Sequence, residues 1–186
     1  SLIPPSIDLT LLPECNYDPG AFLLKRGKLI KLKEGIFTTD YKVWRKEGIF
    51  IFESRGCANA CSFCIYGTQT TLYPRSIRKR GVSQIISHLI RIKGNNPPLK
   101  LVHIIENDFM LRDEDEIEEF AEGYKDKIRL PYFIYCTPET ISEEKLKPLV
   151  DSGLKALIIG IQSGSERINR NIYNRPISNN RILEAA

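Results

Sequence analysis

The chain has 186 residues, which is enough for one domain with a short extension. With 42% hydrophobic and 27% charged residues it has the composition of a globular protein, and no apolar run reaches the length of a membrane span. The formal net charge of +4 is too small to indicate a nucleic-acid-binding surface by itself. Five cysteines without an export signal predict a reducing, cytoplasmic location.

The first 48 residues differ in composition from the rest. Several prolines interrupt the opening segment, which predicts an extended linker. Two short apolar runs on either side of Arg26-Gly27, within residues 22–32, predict a small hairpin. The sequence starts without Met, and its last residues fall within a helical pattern. We therefore expect residues 1–48 to be a linker and N-terminal extension, and the chain to be a piece of a longer polypeptide that continues past Ala186.

From residue 49 onward, apolar strands alternate with amphipathic helices. Continuous apolar runs predict strands at 49–52, 101–105, 132–136 and 157–161. Between them, helical spacing predicts one helix that stops at Gly94, a second over 117–124, and a third that follows a Thr140–Glu143 capping box and ends at Gly153. Such repeated units imply right-handed crossovers and a parallel sheet, with chemistry at the carboxyl ends of its strands.

The most specific signal is a cysteine loop directly after the first of these strands. Cys57, Cys61 and Cys64 have the spacing C-x3-C-x2-C, which can hold three corners of a cubane [4Fe–4S] cluster. The fourth iron is then left open for a small molecule, and Phe63 places an aromatic face beside it. A zinc site is the alternative, because clustered cysteines also bind zinc and Cys136 or His103 could supply a distant fourth ligand.

This loop resembles the cluster motif of the radical S-adenosylmethionine (radical SAM) enzymes, which has the same spacing and an aromatic residue before the last cysteine. The resemblance covers residues 49–186 and implies an α/β fold, a partial parallel (β/α) barrel with about four βα units. It also implies that the cluster reductively cleaves SAM, and that the resulting 5′-deoxyadenosyl radical takes hydrogen from an unidentified small-molecule substrate. An electron donor such as flavodoxin or ferredoxin is implied as a partner.

The resemblance further implies contacts to SAM at two strand ends. Glu106, Asn107 and Asp108 follow the second strand, where the family holds the amino group of SAM in a G-G-E motif; the two glycines are missing here. Tyr135 and Thr137 end the third strand, where the family reaches the ribose or carboxylate of SAM. These residues match the family by position and polarity.

The segment after the fourth strand, Gly160-Ile-Gln-Ser-Gly-Ser-Glu166, resembles one that is frequent in radical SAM proteins. Gln162 matches an amide that meets the ribose of SAM, and Ser163 belongs to the same segment, where it also predicts a capping box with Glu166. Arg175 lies one residue out of register with a carboxylate-binding arginine of the coproporphyrinogen dehydrogenase branch.

Residues 3–8 are similar to linkers that join a cobalamin-binding domain to a radical SAM core. This similarity suggests a cobalamin-dependent methylase or cyclase whose cobalamin would be held by a domain that is not in this chain. An RNA-modifying radical SAM enzyme is the alternative that the basic run from Arg75 to Arg80 favours, although a solvated loop also explains that run. A further alternative is a non-catalytic iron–sulfur or zinc module. Of the two histidines, we expect His88 at the surface or a rim and His103 packed within its strand.

Overall fold

The computed structural model describes residues 8–14, 22–31, 48–69 and 77–186. Strands β1 (Phe22–Lys25) and β2 (Lys28–Lys31) form an antiparallel hairpin. Its two-residue turn has left-handed backbone at both positions, with φ of 50° at Arg26 and 75° at Gly27, as tight hairpin turns require. The hairpin therefore lies where the two apolar runs predict it.

The elements after the hairpin alternate between strand and helix. In chain order they are β3 (Gly48–Ile51), β4 (Ser54–Arg55), α1 (Ile65–Gln69), β5 (Arg78–Lys79), α2 (Val82–Asn95), β6 (Leu101–Ile104), α3 (Glu114–Gly123), β7 (Tyr132–Cys136), α4 (Glu143–Ser152), β8 (Leu154–Ile159), α5 (Glu166–Asn171) and α6 (Asn179–Ala185). A π-helical turn over Tyr124–Ile128 extends α3. Within the described ranges, no helix combines the length and apolar character that crossing a membrane requires.

The main sheet has four strands in the order β3-β6-β7-β8, and every pair is parallel. One face carries Ile51, Ile104 and Ile134, all fully buried, against α2, α3 and α4. The opposite face carries a row of rings from Phe50, His103 and Phe133, which stand in register on neighbouring strands. The His103 ring lies 4.8 Å from the Phe50 ring and 5.1 Å from the Phe133 ring, so His103 is packed within its strand, as predicted.

The α/β prediction with a four-stranded parallel sheet is confirmed, while several predicted boundaries are wrong. The fourth strand spans Leu154–Ile159 rather than residues 157–161, and it starts early because Gly153 (φ 117°) ends α4 and lets the chain enter the sheet at once. Gly94 lies inside α2, whose end is capped by Asn96.

The two predicted capping boxes are also wrong in register. The side chain of Ser142 accepts from the backbone N–H of Lys145 and caps α4, whereas Thr140 donates its hydroxyl to Asp108. The side chain of Ser165, rather than Ser163, caps α5. In each case the serine next to the helix takes the capping position.

Candidate functional site

The cysteine loop leaves the sheet at the carboxyl end of β3. After β3 the chain forms β4, which pairs antiparallel with β5 and closes the base of the loop. The loop then turns through Gly56 (φ 96°) and ends where α1 begins, directly after Cys64. The Cys61 side chain is buried, and those of Cys57 and Cys64 are half-buried. The three thiols thus lie at the sheet edge that the topology predicts for chemistry.

Cys61 and Cys64 lie close enough to Cys57 to influence its ionisation. Burial raises the pKa of Cys57, a hydrogen bond from the backbone N–H of Asn59 works against this increase, and the charges of Cys61, Cys64 and Asp108 add to it. Among the described residues, no three His, Cys, Asp or Glu side chains converge as ligands of one metal ion. A cubane cluster takes three thiolates around one site, and each cysteine binds a different iron. One short loop supplies three such cysteines here.

Neither distant zinc ligand joins the loop. Cys136 lies in the core at 3% exposure, and burial followed by the charge of Asp108 raises its pKa to about 12, so the thiol stays protonated. His103 is held between the rings of Phe50 and Phe133 in the middle of its strand. Neither of these two residues is therefore placed to complete a zinc site with the cysteine loop.

At the end of β6, the carboxylate of Glu106 is engaged by an arginine. Its two oxygens accept from the Nη1 and Nη2 atoms of Arg112 at 2.6 and 3.1 Å, and both side chains are 1% exposed. The Arg112 guanidinium also lies over the Phe109 ring, 4.6 Å from its centroid. Glu106 would have to leave this pair to contact SAM, so its predicted role stays a prediction.

Asp108 joins the ends of β6 and β7. Its carboxylate accepts from the backbone N–H of Thr137 at 3.2 Å and from the hydroxyls of Thr137 at 2.6 Å and Thr140 at 2.9 Å. Burial raises the pKa of Asp108, and these hydrogen bonds work against that increase. Asn107, between the two acids, donates its side-chain N–H to the carbonyl of Gly56 at the start of the cysteine loop.

The end of β8 brings together Gly160, Gln162 and Arg175. A Cβ atom built on Gly160 would lie 3.2 Å from Gln162 Nε2 and 3.4 Å from Arg175 Nη1, so these two side-chain ends pack closely against the glycine. Gln162 has left-handed backbone (φ 64°), and Arg175 is 8% exposed. The Nε and Nη2 atoms of Arg175 have no hydrogen-bond partner among the described residues. Buried cationic donors of this kind suit an anionic partner.

The other predicted site residues lie at the same edge or on the loop. Tyr135, at the carboxyl end of β7, is half-buried, and Thr137 is buried against Asp108. The hydroxyl of Ser163 accepts from the backbone N–H of Ser165. Phe63 is 50% exposed and meets the Tyr173 ring edge-on at 5.1 Å.

A buried polar cluster at the base of the cysteine loop, formed by Glu53, Arg80 and His88, was not predicted from the sequence. The Glu53 carboxylate lies 2.7 Å from His88 Nδ1 and 3.3 Å from Arg80 Nε, at 2% exposure. The expectation that His88 lies at the surface is wrong, since it is also 2% exposed. The signal was present, because His88 continues the buried stripe of Ile85 and Ile92 on α2.

The basic run before α2 is used within the fold, so the expectation of a solvated loop is wrong for its described end. Lys79 pairs with Glu116 of α3, and Arg80 pairs with Glu53. Arg80 also donates through Nη2 to the carbonyls of Leu12 and Pro13 at 3.1 and 3.2 Å. Arg75 lies outside the described residues.

A three-cysteine loop at the carboxyl edge of a parallel α/β sheet is an arrangement that suits an iron–sulfur enzyme with a partial (β/α) barrel. The profile of the Radical SAM superfamily matches residues 52–186, which is more than half of the chain. The chain belongs to the radical SAM superfamily. Membership indicates an enzyme, and a [4Fe–4S] cluster and SAM are the general cofactors of the superfamily.

Known relatives agree with this assignment. The curated cytidylyl-2-hydroxyethylphosphonate methyltransferase of Streptomyces wedmorensis is 26% identical over 133 residues, which is 69% of this chain and 23% of that protein. The radical SAM methyltransferase TsrM of Kitasatospora setae, solved with cobalamin and a [4Fe–4S] cluster, matches with a TM-score of 0.56 at 15% identity. That match covers 80% of this chain and 34% of TsrM. TsrM with tryptophan and aza-SAM gives a TM-score of 0.55 at 16% identity, over 81% of this chain and 33% of TsrM. The partial-barrel fold is thus shared.

Proposed function

We propose that Cys57, Cys61 and Cys64 hold a [4Fe–4S] cluster and that SAM binds at the iron that these cysteines leave open. The observation that supports this most is the three-cysteine loop at the carboxyl edge of the sheet, within the part of the chain that matches the superfamily. When bound, the cluster and SAM supply a one-electron cleavage that yields a 5′-deoxyadenosyl radical for hydrogen abstraction. The protein supplies binding, orientation and exclusion of water.

The charges at the strand ends suit the two polar groups of the methionine part of SAM. Arg175 presents two unpaired donors, which match a carboxylate in geometry and charge. Gln162 lies beside it and suits the ribose hydroxyls. For the ammonium group we favour Asn107, because its side-chain N–H is occupied by Gly56 and its Oδ1 is left to accept. Glu106 and Asp108 already receive donors from within the fold.

We further propose that the protein transfers methyl groups in a cobalamin-dependent reaction. The support is that the curated relative is named a methyltransferase and that TsrM, which shares the fold, is a methyltransferase with bound cobalamin. The chain spans only 23% of that relative and 34% of TsrM, so the substrate stays open. A cyclisation is the second outcome that the sequence suggests. The electron donor that reduces the cluster would be a flavodoxin or a ferredoxin.

RNA modification is less favoured by the structure. That alternative relied on the basic run at 75–80, but Lys79 and Arg80 are paired with Glu116 and Glu53. These two side chains therefore offer little free charge to phosphates.

Replacing Arg175 tests the SAM site directly. In anaerobically reconstituted protein, Arg175→Gln should weaken SAM binding about tenfold or more, because a charged bidentate contact is lost. Iron content should not change, since the guanidinium makes no contact with the cysteines. The matched control is Arg167→Gln on the exposed face of α5. Equal SAM affinity of wild type and Arg175→Gln, measured by equilibrium dialysis, would remove Arg175 from the site.

A further inference from the structure

A turn that follows α5 holds the cysteine loop from far away in the sequence. The carbonyl of Tyr173 accepts from the backbone N–H of Ser62 at 3.0 Å, and the carbonyl of Ile172 accepts from the Ser62 hydroxyl. The side-chain amide of Asn174 donates to the carbonyl of Ala60 at 2.9 Å. These bonds span 110 and 114 residues of sequence for Ser62–Ile172 and Asn174–Ala60.

The contacts enclose the middle cysteine of the loop. Ala60 and Ser62 are the neighbours of Cys61, so the backbone is held on both sides of this ligand. The stretch between β4 and α1 contains no strand or helix, so hydrogen bonds from the turn after α5 contribute to its conformation. The direction of the Cys61 thiol therefore depends on the turn after α5.

The backbone conformation of the turn directs its side chains toward the cysteine loop. Asn174 has left-handed backbone (φ 49°), which asparagine tolerates better than other side chains. That conformation brings its amide onto the loop, and the Tyr173 ring onto the ring of Phe63. The next residue is Arg175, whose unpaired guanidinium faces Gly160. The contacts to the cysteine loop and the guanidinium of Arg175 thus come from adjacent residues of the same turn.

We propose that Asn174 and Tyr173 are positioning residues, which fix the loop that carries Cys61 and Phe63 relative to the Arg175 site. This inference rests on the proposed function in so far as the loop holds a cluster. The positioning itself is a property of the chain without the cluster, so it can be tested separately.

The first experiment measures hydrogen exchange of the full chain without cluster. Asn174→Gly can adopt the left-handed backbone and removes the side chain with its amide. Asn174→Asp keeps the size of the side chain but replaces the donor by an acceptor. Both should raise the exchange rate of the Ser62 amide about fivefold, the effect of losing one ordinary hydrogen bond. Amides of β7 and α3 should exchange as in wild type. Asn180→Ala, at an exposed asparagine of α6, is the control.

The second experiment measures iron release to a chelator from reconstituted protein. Asn174→Gly and Tyr173→Ala should release iron about fivefold faster than wild type, and Tyr173→Phe, which keeps the ring, should not. Wild-type protein that takes up no iron would contradict the proposed function. Hydrogen exchange of the Ser62 amide would still test whether the turn positions the loop. Unchanged exchange at Ser62 in both Asn174 variants would overturn the inference.

Discussion

Two buried carboxylates at the end of β6, those of Glu106 and Asp108, differ in the groups that donate hydrogen bonds to them. Glu106 is neutralised by Arg112 in a bidentate pair, whereas Asp108 receives only neutral donors from backbone and threonine hydroxyls. The pair is costly to break, because one buried charge would lose its partner. The pKa of Asp108 is raised because burial outweighs its hydrogen bonds. Two acids that are separated by one residue thus have different physical roles.

We expect Glu106→Gln to act mainly on stability. The change leaves Arg112 buried without a counterion, so the free energy of unfolding should fall by about 3 kcal/mol. Urea denaturation of the cluster-free chain measures this, with exposed Glu122→Gln on α3 as the control. The double variant Glu106→Leu/Arg112→Leu should recover most of the loss, since no unpaired charge remains. Unchanged stability together with weaker SAM binding would instead support the sequence-based role of Glu106 at the SAM amino group.

At the residue scale, the sequence revealed the ligands but little of their surroundings. Cys57, Cys61 and Cys64 could be recognised because their spacing within one loop is itself the signal. The Arg112 partner of Glu106 lies six residues away in an irregular segment, where no periodicity predicts contact. Arg175 was one residue out of register with the family, and only the fold shows that it is buried beside Gly160.

At the scale of elements, the short helix α1 is the support on which the cysteine loop rests. A Cβ atom on Gly67 would lie 2.0 Å from the carbonyl oxygen of Cys61, a distance that no packing tolerates. The backbone of Cys64 also donates to that carbonyl, at 3.1 Å. The helix and the loop therefore approach each other more closely than any side chain at residue 67 would allow.

Gly67→Ala should accordingly disturb the cluster although alanine favours helices. In an open helix this change stabilises by about 1 kcal/mol, but here the methyl group must displace Cys61. We expect the variant to retain less than about half of the wild-type iron, because a misplaced ligand weakens metal binding. Gly94→Ala on α2, where nothing lies within 4 Å of the added atom, is the matched control and should leave iron content unchanged. Full iron retention by Gly67→Ala, measured after gel filtration, would contradict the close approach.

The order of the strands and helices could be predicted from the sequence, but their first and last residues were harder to predict. Apolar runs predicted all four strands of the main sheet, whose inner residues Ile51, Ile104 and Ile134 are fully buried. The start of β8 was missed because Lys155 is exposed at the strand's beginning, which breaks the apolar run there. The start of β8 is set by its pairing with β7, which a local sequence pattern does not reveal.

At the scale of the whole molecule, the parallel sheet gathers distant segments at one edge. The cysteine loop follows β3, Asn107 follows β6, Thr137 follows β7 and Gln162 follows β8. Hydrogen bonds then join these ends across the edge, from Asn107 to Gly56 and from Thr137 to Asp108. The arrangement explains why chemistry assigned to separate motifs in the sequence can form one site.

Iron and sulfide content after anaerobic reconstitution tests the central claim most directly. We predict about four irons and four sulfides per chain, with no stoichiometric zinc. Single replacement of Cys57, Cys61 or Cys64 by Ala should abolish this content, because three ligands are the minimum for holding the cube. Cys136→Ala should retain it, since that thiol is buried in the core with a pKa raised to about 12. Stoichiometric zinc without iron, or loss of the cluster in Cys136→Ala, would contradict the account.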